Sequence, residues 1–234
     1  MLESLIKKYF DKYKIEYESN KIESFVEYAK YLKESNKRIN LTSIVEDEDI
    51  VIKHFLDSVI AYRKFPLNSK VIDIGSGAGF PAIPLKILSP DLDFLMVEAT
   101  RKKVNFLNST IELLSLDNIE AIHERAENIG RYEKYREKYD ICTARAFAPL
   151  RELVEYLAPF VSVNGKIIAY KGPEVDKEIK EAESALEKLN LKILDVERLD
   201  LEDNKRNIIY IQKTNTLDAK YPRSHKKITT NPLW

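Results

Sequence analysis

The stretch Val71-Ile72-Asp73-Ile74-Gly75-Ser76-Gly77-Ala78-Gly79-Phe80 decides the fold of this chain. It holds three of the six glycines in the sequence, all within five residues. A β-branched apolar run leads straight into them, as expected of a strand buried on both faces. Glycines directly after such a strand let the backbone turn sharply and approach a ligand with no Cβ in between. That is the geometry of a nucleotide-type cofactor site at the carboxyl end of a parallel strand.

The glycine spacing narrows the ligand. A dinucleotide fingerprint is Gly-x-Gly-x-x-Gly; here the third glycine comes one residue early, at Gly79, and Phe80 stands in the sixth place. Pro81 and Pro84 remove amide donors from the first helical turn, which a helix tolerates but a pyrophosphate would not favour. The pattern Asp-x-Gly-x-Gly-x-Gly resembles that of class I S-adenosylmethionine methyltransferases, whose cofactor has no pyrophosphate. A bare strand–helix turn is the alternative, and three glycines exceed what such a turn requires.

Outward from this motif, glycine and proline divide the chain. Neither occurs before Pro66, and that stretch reads as helical. Leu2, Leu5, Ile6, Tyr9, Phe10 and Tyr13, and then Ile22, Phe25, Val26, Ala29 and Leu32, keep the spacing of one apolar helix face. A third helix is expected from about Glu46 to Ala61. From Val71 strands and helices alternate. Strands are expected at Val71–Gly75, Asp93–Glu98, Ile119–Glu124, Tyr139–Ala144 and Gly165–Lys171, with helices near 82–88, 102–115, 149–158 and 174–189. A terminal antiparallel pair follows at Leu191–Leu199 and Asn207–Gln212. The expected fold is therefore α/β, a class I Rossmann-like methyltransferase: a seven-stranded, mostly parallel sheet with an antiparallel last strand and an N-terminal helical appendage. The expected division is a helical appendage at 1–64, a cofactor domain at 65–213 and a basic tail at 214–234.

At 234 residues and zero formal net charge, the chain carries no global field favouring nucleic acid or membranes. One cysteine excludes an intramolecular disulfide framework and suits a reducing compartment. The charged, amphipathic N-terminus is not signal-like, and no apolar run approaches a spanning helix. A soluble, cytoplasmic protein is expected. The charge is unevenly placed: residues 205–234 hold seven Lys or Arg against Asp218, a surplus of +6 that the rest of the chain balances. Tyr221-Pro222-Arg223-Ser224-His225-Lys226-Lys227 reads either as an extended basic tail for RNA phosphates or as a merely solvated one.

Single residues add chemistry. Glu98 ends the second strand, placed to accept from ribose hydroxyls or simply to be solvated. Ala126-Glu127 follows the third strand, where it would hold an adenine edge or begin a helix. Arg145 follows the fourth strand, facing a cofactor carboxylate, a substrate phosphate or a structural salt bridge. That strand lacks the Asn/Asp-Pro-Pro-Tyr/Phe of base-amine methyltransferases. Cys142 lies inside the strand without the context of a cytosine-C5 nucleophile and reads as buried. His54, His123 and His225 form no metal spacing.

With these residues in hand the chain resembles the bacterial 16S rRNA guanine-N7 methyltransferases of the RsmG (GidB) family over nearly its whole length. The resemblance is carried by Arg38-Ile39-Asn40-Leu41-Thr42-Ser43-Ile44, His54-Phe55-Leu56-Asp57-Ser58, the glycine motif through Pro81, Arg125-Ala126-Glu127, Ala144-Arg145-Ala146, Tyr170-Lys171-Gly172 and Tyr221-Pro222-Arg223. After Arg223 the family usually continues to Gly-Thr-Pro before Pro-Leu; here Ser224-His225-Lys226-Lys227-Ile228 stands instead, and Pro232-Leu233 remains. The resemblance implies methyl transfer from S-adenosylmethionine to N7 of a guanine in 16S rRNA, the family target being guanine 527, with S-adenosylhomocysteine as product. It implies cofactor contacts at Gly75, Gly77, Gly79, Phe80, Glu98, Ala99, Thr100, Ala126, Glu127 and Arg145. It places Asn40, His54, Lys171 and Arg223 around the substrate, with Lys171 or Arg223 on RNA phosphates. The implied partner is 16S rRNA or the small ribosomal subunit, acted on by a monomer without metal or membrane. Guanine N7 offers an unshared pair and no proton, so positioning carries the reaction and no general acid or base is assigned. The rival readings are a methyltransferase for a small molecule or protein, and a binding module without turnover.

Overall fold

The computed structural model describes residues 1–233; Trp234, which ends the expected tail, lies outside the described residues. Strands β1 (Lys70–Ile74), β2 (Asp93–Glu98), β3 (Ile119–His123), β4 (Tyr139–Arg145), β5 (Val161–Lys171), β6 (Leu191–Leu201) and β7 (Asn204–Lys213) form one sheet in the order β3-β2-β1-β4-β5-β7-β6. The first five run parallel; β7 is antiparallel to both β5 and β6. The expected α/β architecture is thus the observed one.

Alternation along each strand sends successive side chains to opposite faces, and each face builds its own core. Val71, Phe94, Met96, Ile141 and Ile168 point to one; Ile72, Leu95, Val97, Cys142 and Ile167 point to the other. The second face is closed by α8 (Leu150–Leu157) and α9 (Val175–Lys188). In α8, Leu150, Leu153, Val154 and Leu157 keep one buried stripe. The first face is closed by α5 (Ala82–Leu88) and α6 (Arg101–Leu113).

The N-terminal helices α1 (Leu2–Lys12) and α2 (Ser19–Ile39) join the first face directly. Ile6, Phe10, Phe25, Tyr28 and Leu32 share a core with Val71 and Met96 rather than forming one of their own. The helix expected from Glu46 to Ala61 is present but not uniform. The short α3 (Asp47–Asp49) and α4 (Asp57–Val59) flank a π-helical stretch, Ile50–Leu56. Six of those seven residues are buried, more than one stripe of an ordinary α-helix presents.

The C-terminal segment corrects the expectation of an extended tail. Leu217, Tyr221, Ile228 and Leu233 enter the second core, and α10 (His225–Thr230) packs there after the short α7 (Ala126–Ile129). Arg136 donates to the carbonyls of Leu217, Asp218 and Tyr221 at 2.9, 3.0 and 2.7 Å, and Arg131 to that of Pro222 at 2.7 Å. The reason is compositional: apolar residues are interleaved with the basic ones, so burial of the former docks the segment while Lys220, Lys226 and Lys227 stay exposed.

Candidate active site

The glycine turn after β1 is built from positive φ angles: +72° at Gly75, +58° at Gly77 and +94° at Gly79. A Cβ on Gly79 would lie 2.5 Å from Ile83 and 2.9 Å from the Tyr28 hydroxyl, so this glycine is required twice over. The Tyr28 hydroxyl donates to the carbonyl of Ala78, tying α2 to the turn.

Most amides of the turn are satisfied within the protein. Gly75 donates to Val97 O (2.8 Å), Gly77 to Glu98 Oε2 (3.0 Å), Gly79 to Ser76 O (2.7 Å) and Phe80 to Ser76 O (3.1 Å). A pyrophosphate needs those donors free, whereas here carbonyls and the Glu98 carboxylate take them. Glu98 also accepts from Thr100 N at 2.8 Å through Oε1. Each of its oxygens keeps a second lone pair, so it fixes the turn while remaining an acceptor on the cleft wall.

A cleft of about 460 Å³ opens over the carboxyl ends of β1, β2, β3 and β4. Of the residues expected at a cofactor, Gly75, Gly77, Phe80, Glu98, Ala99, Ala126, Glu127 and Arg145 line it. Gly79 and Thr100 do not; they shape the turn and hold Glu98 from outside the lining. His54, expected at the substrate, lines the same cleft.

Arg145 resolves the alternatives left open by spacing. Its Nη1 donates to Asp57 Oδ2 at 2.8 Å and to the carbonyls of Lys53 and His54 at 3.2 and 3.3 Å; its Nη2 reaches His54 Nδ1 at 3.2 Å. The guanidinium thus welds β4 to the π-helical segment. Because arginine only donates, Nδ1 of His54 is the acceptor and Nε2 carries the hydrogen. That hydrogen is given to Thr42 Oγ1 at 2.8 Å, which also accepts from Ile44 N at 3.0 Å. Burial, reinforced by the Arg145 charge, lowers the His54 pKa to about 3. The imidazole is neutral and stacks on Phe80 at 4.3 Å, 13° from parallel.

The remaining expected residues sit elsewhere. Asn40 ends α2 with φ +45°, outside the cleft lining. The Lys171 ammonium is held by Glu178 at 2.5 Å and the Ala148 carbonyl at 2.8 Å, its side chain 8% exposed. Arg223 forks onto Glu155, Nε and Nη2 donating at 2.9 and 2.7 Å, and the Arg223 amide donates to the same carboxylate at 2.9 Å. The Glu155 side chain is 1% exposed. Neither cation is displayed for a phosphate: each anchors an element, because a carboxylate held beside it, half-buried Glu178 for Lys171 and buried Glu155 for Arg223, is a nearer anion than RNA.

Several residues of the site had no sequence signal of their own. Asn36 fixes the Leu41–Thr42 turn, its Oδ1 accepting from both amides at 2.6 and 2.9 Å. Phe147, Tyr156 and His225 form an aromatic wall of the cleft. Phe147 meets Tyr156 edge-on at 5.2 Å, and the Tyr156 hydroxyl bonds His225 Nδ1 at 2.6 Å. Burial pushes Tyr156 up to about 12. His225 arrives from α10, so only the folded tail brings it here.

Beneath the turn, Asp73 is fully buried; Thr143 donates to its Oδ1 at 2.8 Å while Oδ2 has no partner. Burial raises this carboxyl to about 7. Cys142 is buried and its thiol pushed well up, as an inert strand residue. Among the described residues no helix is long and apolar enough to cross a membrane, and no His, Cys, Asp or Glu cluster is placed to hold a metal ion.

A turn most of whose amides are closed, a carboxylate at the end of β2 and a cleft carrying both charge signs fit a sulfonium nucleoside with an amino-acid tail. They do not fit a nicotinamide dinucleotide. Fold and cleft together define a class I S-adenosylmethionine-dependent methyltransferase. The chain belongs to the family described as GidB, rRNA small subunit methyltransferase G, which matches residues 21–209. It is 49% identical over 216 residues to the ribosomal RNA small subunit methyltransferase G of Caldanaerobacter subterraneus subsp. tengcongensis, covering 91% of this chain and 90% of that one. It is 42% identical to the protein of that name from Clostridium botulinum strain 657, covering 94% and 93%. Among solved structures, Aeropyrum pernix fibrillarin with bound S-adenosyl-L-methionine shares the fold at TM-score 0.52 and 21% identity, over 62% of this chain and 66% of that one. The ribosomal protein L11 methylase of Lactobacillus delbrueckii subsp. bulgaricus does so at TM-score 0.53 and 16% identity, over 70% and 79%.

Proposed function

We propose that this protein methylates N7 of a guanine in 16S rRNA, the position corresponding to the family's guanine 527, acting as a cytoplasmic monomer without a metal ion. In this reading residues 65–213 hold the cofactor, 1–64 brace the glycine turn and supply the substrate-side wall, and 214–234 close the adenine end. S-adenosylmethionine supplies a methyl group on a sulfonium when bound. Glu98 accepts from the ribose hydroxyls while its other lone pairs keep the turn in shape. Ala126 and Glu127 flank the adenine edge. Arg145 fixes the wall between cofactor and substrate, and Arg223 anchors the tail.

The reading is carried by one observation: Asp57, Arg145 and His54 at the substrate side are bonded to one another. A neutral imidazole with one nitrogen facing a guanidinium and the other donating to Thr42 is not poised to take a proton. A nucleophile that brings no proton suits such a site, and guanine N7 is one. The chain's contribution is to hold N7 in line with the departing sulfur, an effect worth roughly 7–11 kcal/mol of barrier. The test is to map N7-methylguanine in 16S rRNA from cells with and without the gene. One N7-methylguanine lost on deletion and restored by the gene is expected; label passing to a metabolite or protein and never to rRNA overturns the reading.

A further inference from the structure

A second cleft, of about 340 Å³, lies on the far side of Arg145 from the first. The two share His54, Arg145 and Ala146 as a common wall. Its lining carries Lys53, Arg145, Lys171 and Arg206 against the single acid Asp57. Lys171 is neutralised from behind by Glu178. Asp57 is shared: Oδ2 faces Arg145 at 2.8 Å and Oδ1 faces Arg206 Nε at 3.3 Å. One carboxylate balances one guanidinium, so the second is left as surplus positive charge at the mouth. Lys53 forms an ion pair with Asp49 at 2.8 Å, the two side chains being 30% and 42% exposed. Exposed pairs of this kind are worth ~0–1 kcal/mol and exchange readily for another anion. At Gly172 a side chain would meet nothing within 4 Å, so the backbone there borders open space.

We propose that this second cleft seats a phosphodiester of the RNA strand carrying the target base, with Arg206 and Lys53 as its donors; the inference rests on the RNA reading above. A phosphate is the anion that matches a planar guanidinium beside an ammonium. Its position explains why the cleft adjoins the cofactor: a nucleotide held by its phosphate behind Arg145 extends its base over the shared wall toward the transferred methyl. Arg206 comes from β7 and Lys53 from the π-helical segment, so both rest on rigid elements. The bound phosphate displaces counterions, which gives the proposal a signature that a structural role for these residues would lack.

The test uses the full chain with small subunits or 16S rRNA from cells lacking the modification, and measures methyl incorporation across a salt series. Arg206→Gln is expected to raise KM for RNA roughly tenfold, the size of one lost charge-assisted hydrogen bond. It should also reduce the slope of log KM against log salt by about one. Lys53→Gln should act in the same direction, and Arg206→Lys should restore the slope. Calorimetry should find S-adenosylmethionine affinity within about twofold of wild type in all three. Wild type labelling RNA while both Gln variants keep its KM and slope overturns this inference alone. Wild type labelling no RNA overturns the function and this inference together. A lost slope accompanied by equally lost cofactor affinity assigns the residues to the fold and also overturns it.

Discussion

The two clefts that meet at Arg145 are made of different materials. The cofactor cleft rests on backbone: three glycines at positive φ, most of the turn's amides closed on neighbouring carbonyls, and one carboxylate from the next strand. The second cleft and the docked tail rest on long side chains in ion pairs formed by residues far apart in sequence, such as Arg206 with Asp57 and Arg223 with Glu155. Backbone conformation demands particular residue types at fixed spacing. An ion pair demands only that two charges meet.

The sharpest way to break this contrast is at Gly79. Gly79→Ala places a Cβ at φ +94° against Ile83 and the Tyr28 hydroxyl. The expected outcome is upwards of about 3 kcal/mol of lost stability and no measurable S-adenosylmethionine binding, read by thermal melting and calorimetry. A Gly79→Ala protein that binds cofactor normally would mean that the turn is softer than its packing implies.

At the tail the expected effect is next in size. Glu155→Ala strands Arg223 without its buried partner, and breaking such a pair costs about 3–5 kcal/mol, here discounted toward 3 because the Arg223 side chain is 19% exposed. Early proteolysis within 214–233 and a lower melting temperature are expected. Arg223→Ala should do the same, with little change in the salt dependence of RNA binding. A flattened salt slope with unchanged stability would return Arg223 to the RNA.

These two experiments mark where the sequence was legible. β1, the glycine turn, Glu98 and Ala126-Glu127 are local and periodic, so strand pattern and spacing put them at the carboxyl edge of the sheet, where the cleft opens. The docking of the tail was not legible. Leu217, Tyr221, Ile228 and Leu233 have no periodicity, and their burial depends on α8, far earlier in the chain. Arg145 fell between: its strand-end position was readable, but its partner Asp57 lies just past a segment whose π-helical winding no residue pattern announces. His225 entered the cleft only because the tail folds back, a consequence of packing and not of motif.

Titration offers a subtler probe, because two buried groups beside the turn respond in opposite directions. His54 is held at about 3, against 6.5 ordinarily. As pH falls from 6.5 to 3 the unfolded chain takes a proton the folded chain refuses, so stability falls. Asp73 is raised from 3.8 to about 7. As pH rises from 3.8 to 7 the unfolded chain releases a proton the folded chain keeps, so stability again falls. Each slope is limited to about 1.4 kcal/mol per pH unit. Across roughly pH 4–6.5 the two largely cancel in wild type. Asp73→Asn should therefore unmask a loss of stability on acidification, and His54→Gln a loss on alkalinisation, both seen in urea denaturation at about pH 4, 5.5 and 7. Parallel pH profiles for all three proteins would show that neither group titrates as its burial demands.

The smallest expected effect comes from the one glycine of the second cleft. A Cβ at Gly172 meets no atom within 4 Å and no positive φ is involved, unlike Gly79. Gly172→Ala should leave stability within about 0.5 kcal/mol of wild type and S-adenosylmethionine affinity unchanged. Gly172→Leu should be equally silent in the melt, since its side chain projects into open space, yet it fills volume that an RNA strand is proposed to use. The two glycines then separate the two materials. One substitution destroys the fold of the turn without touching substrate, and the other touches only substrate. KM for RNA rising in Gly172→Leu while the melting temperature stays fixed supports that separation; a melting temperature that drops with the leucine would mean the second cleft closes on itself in solution.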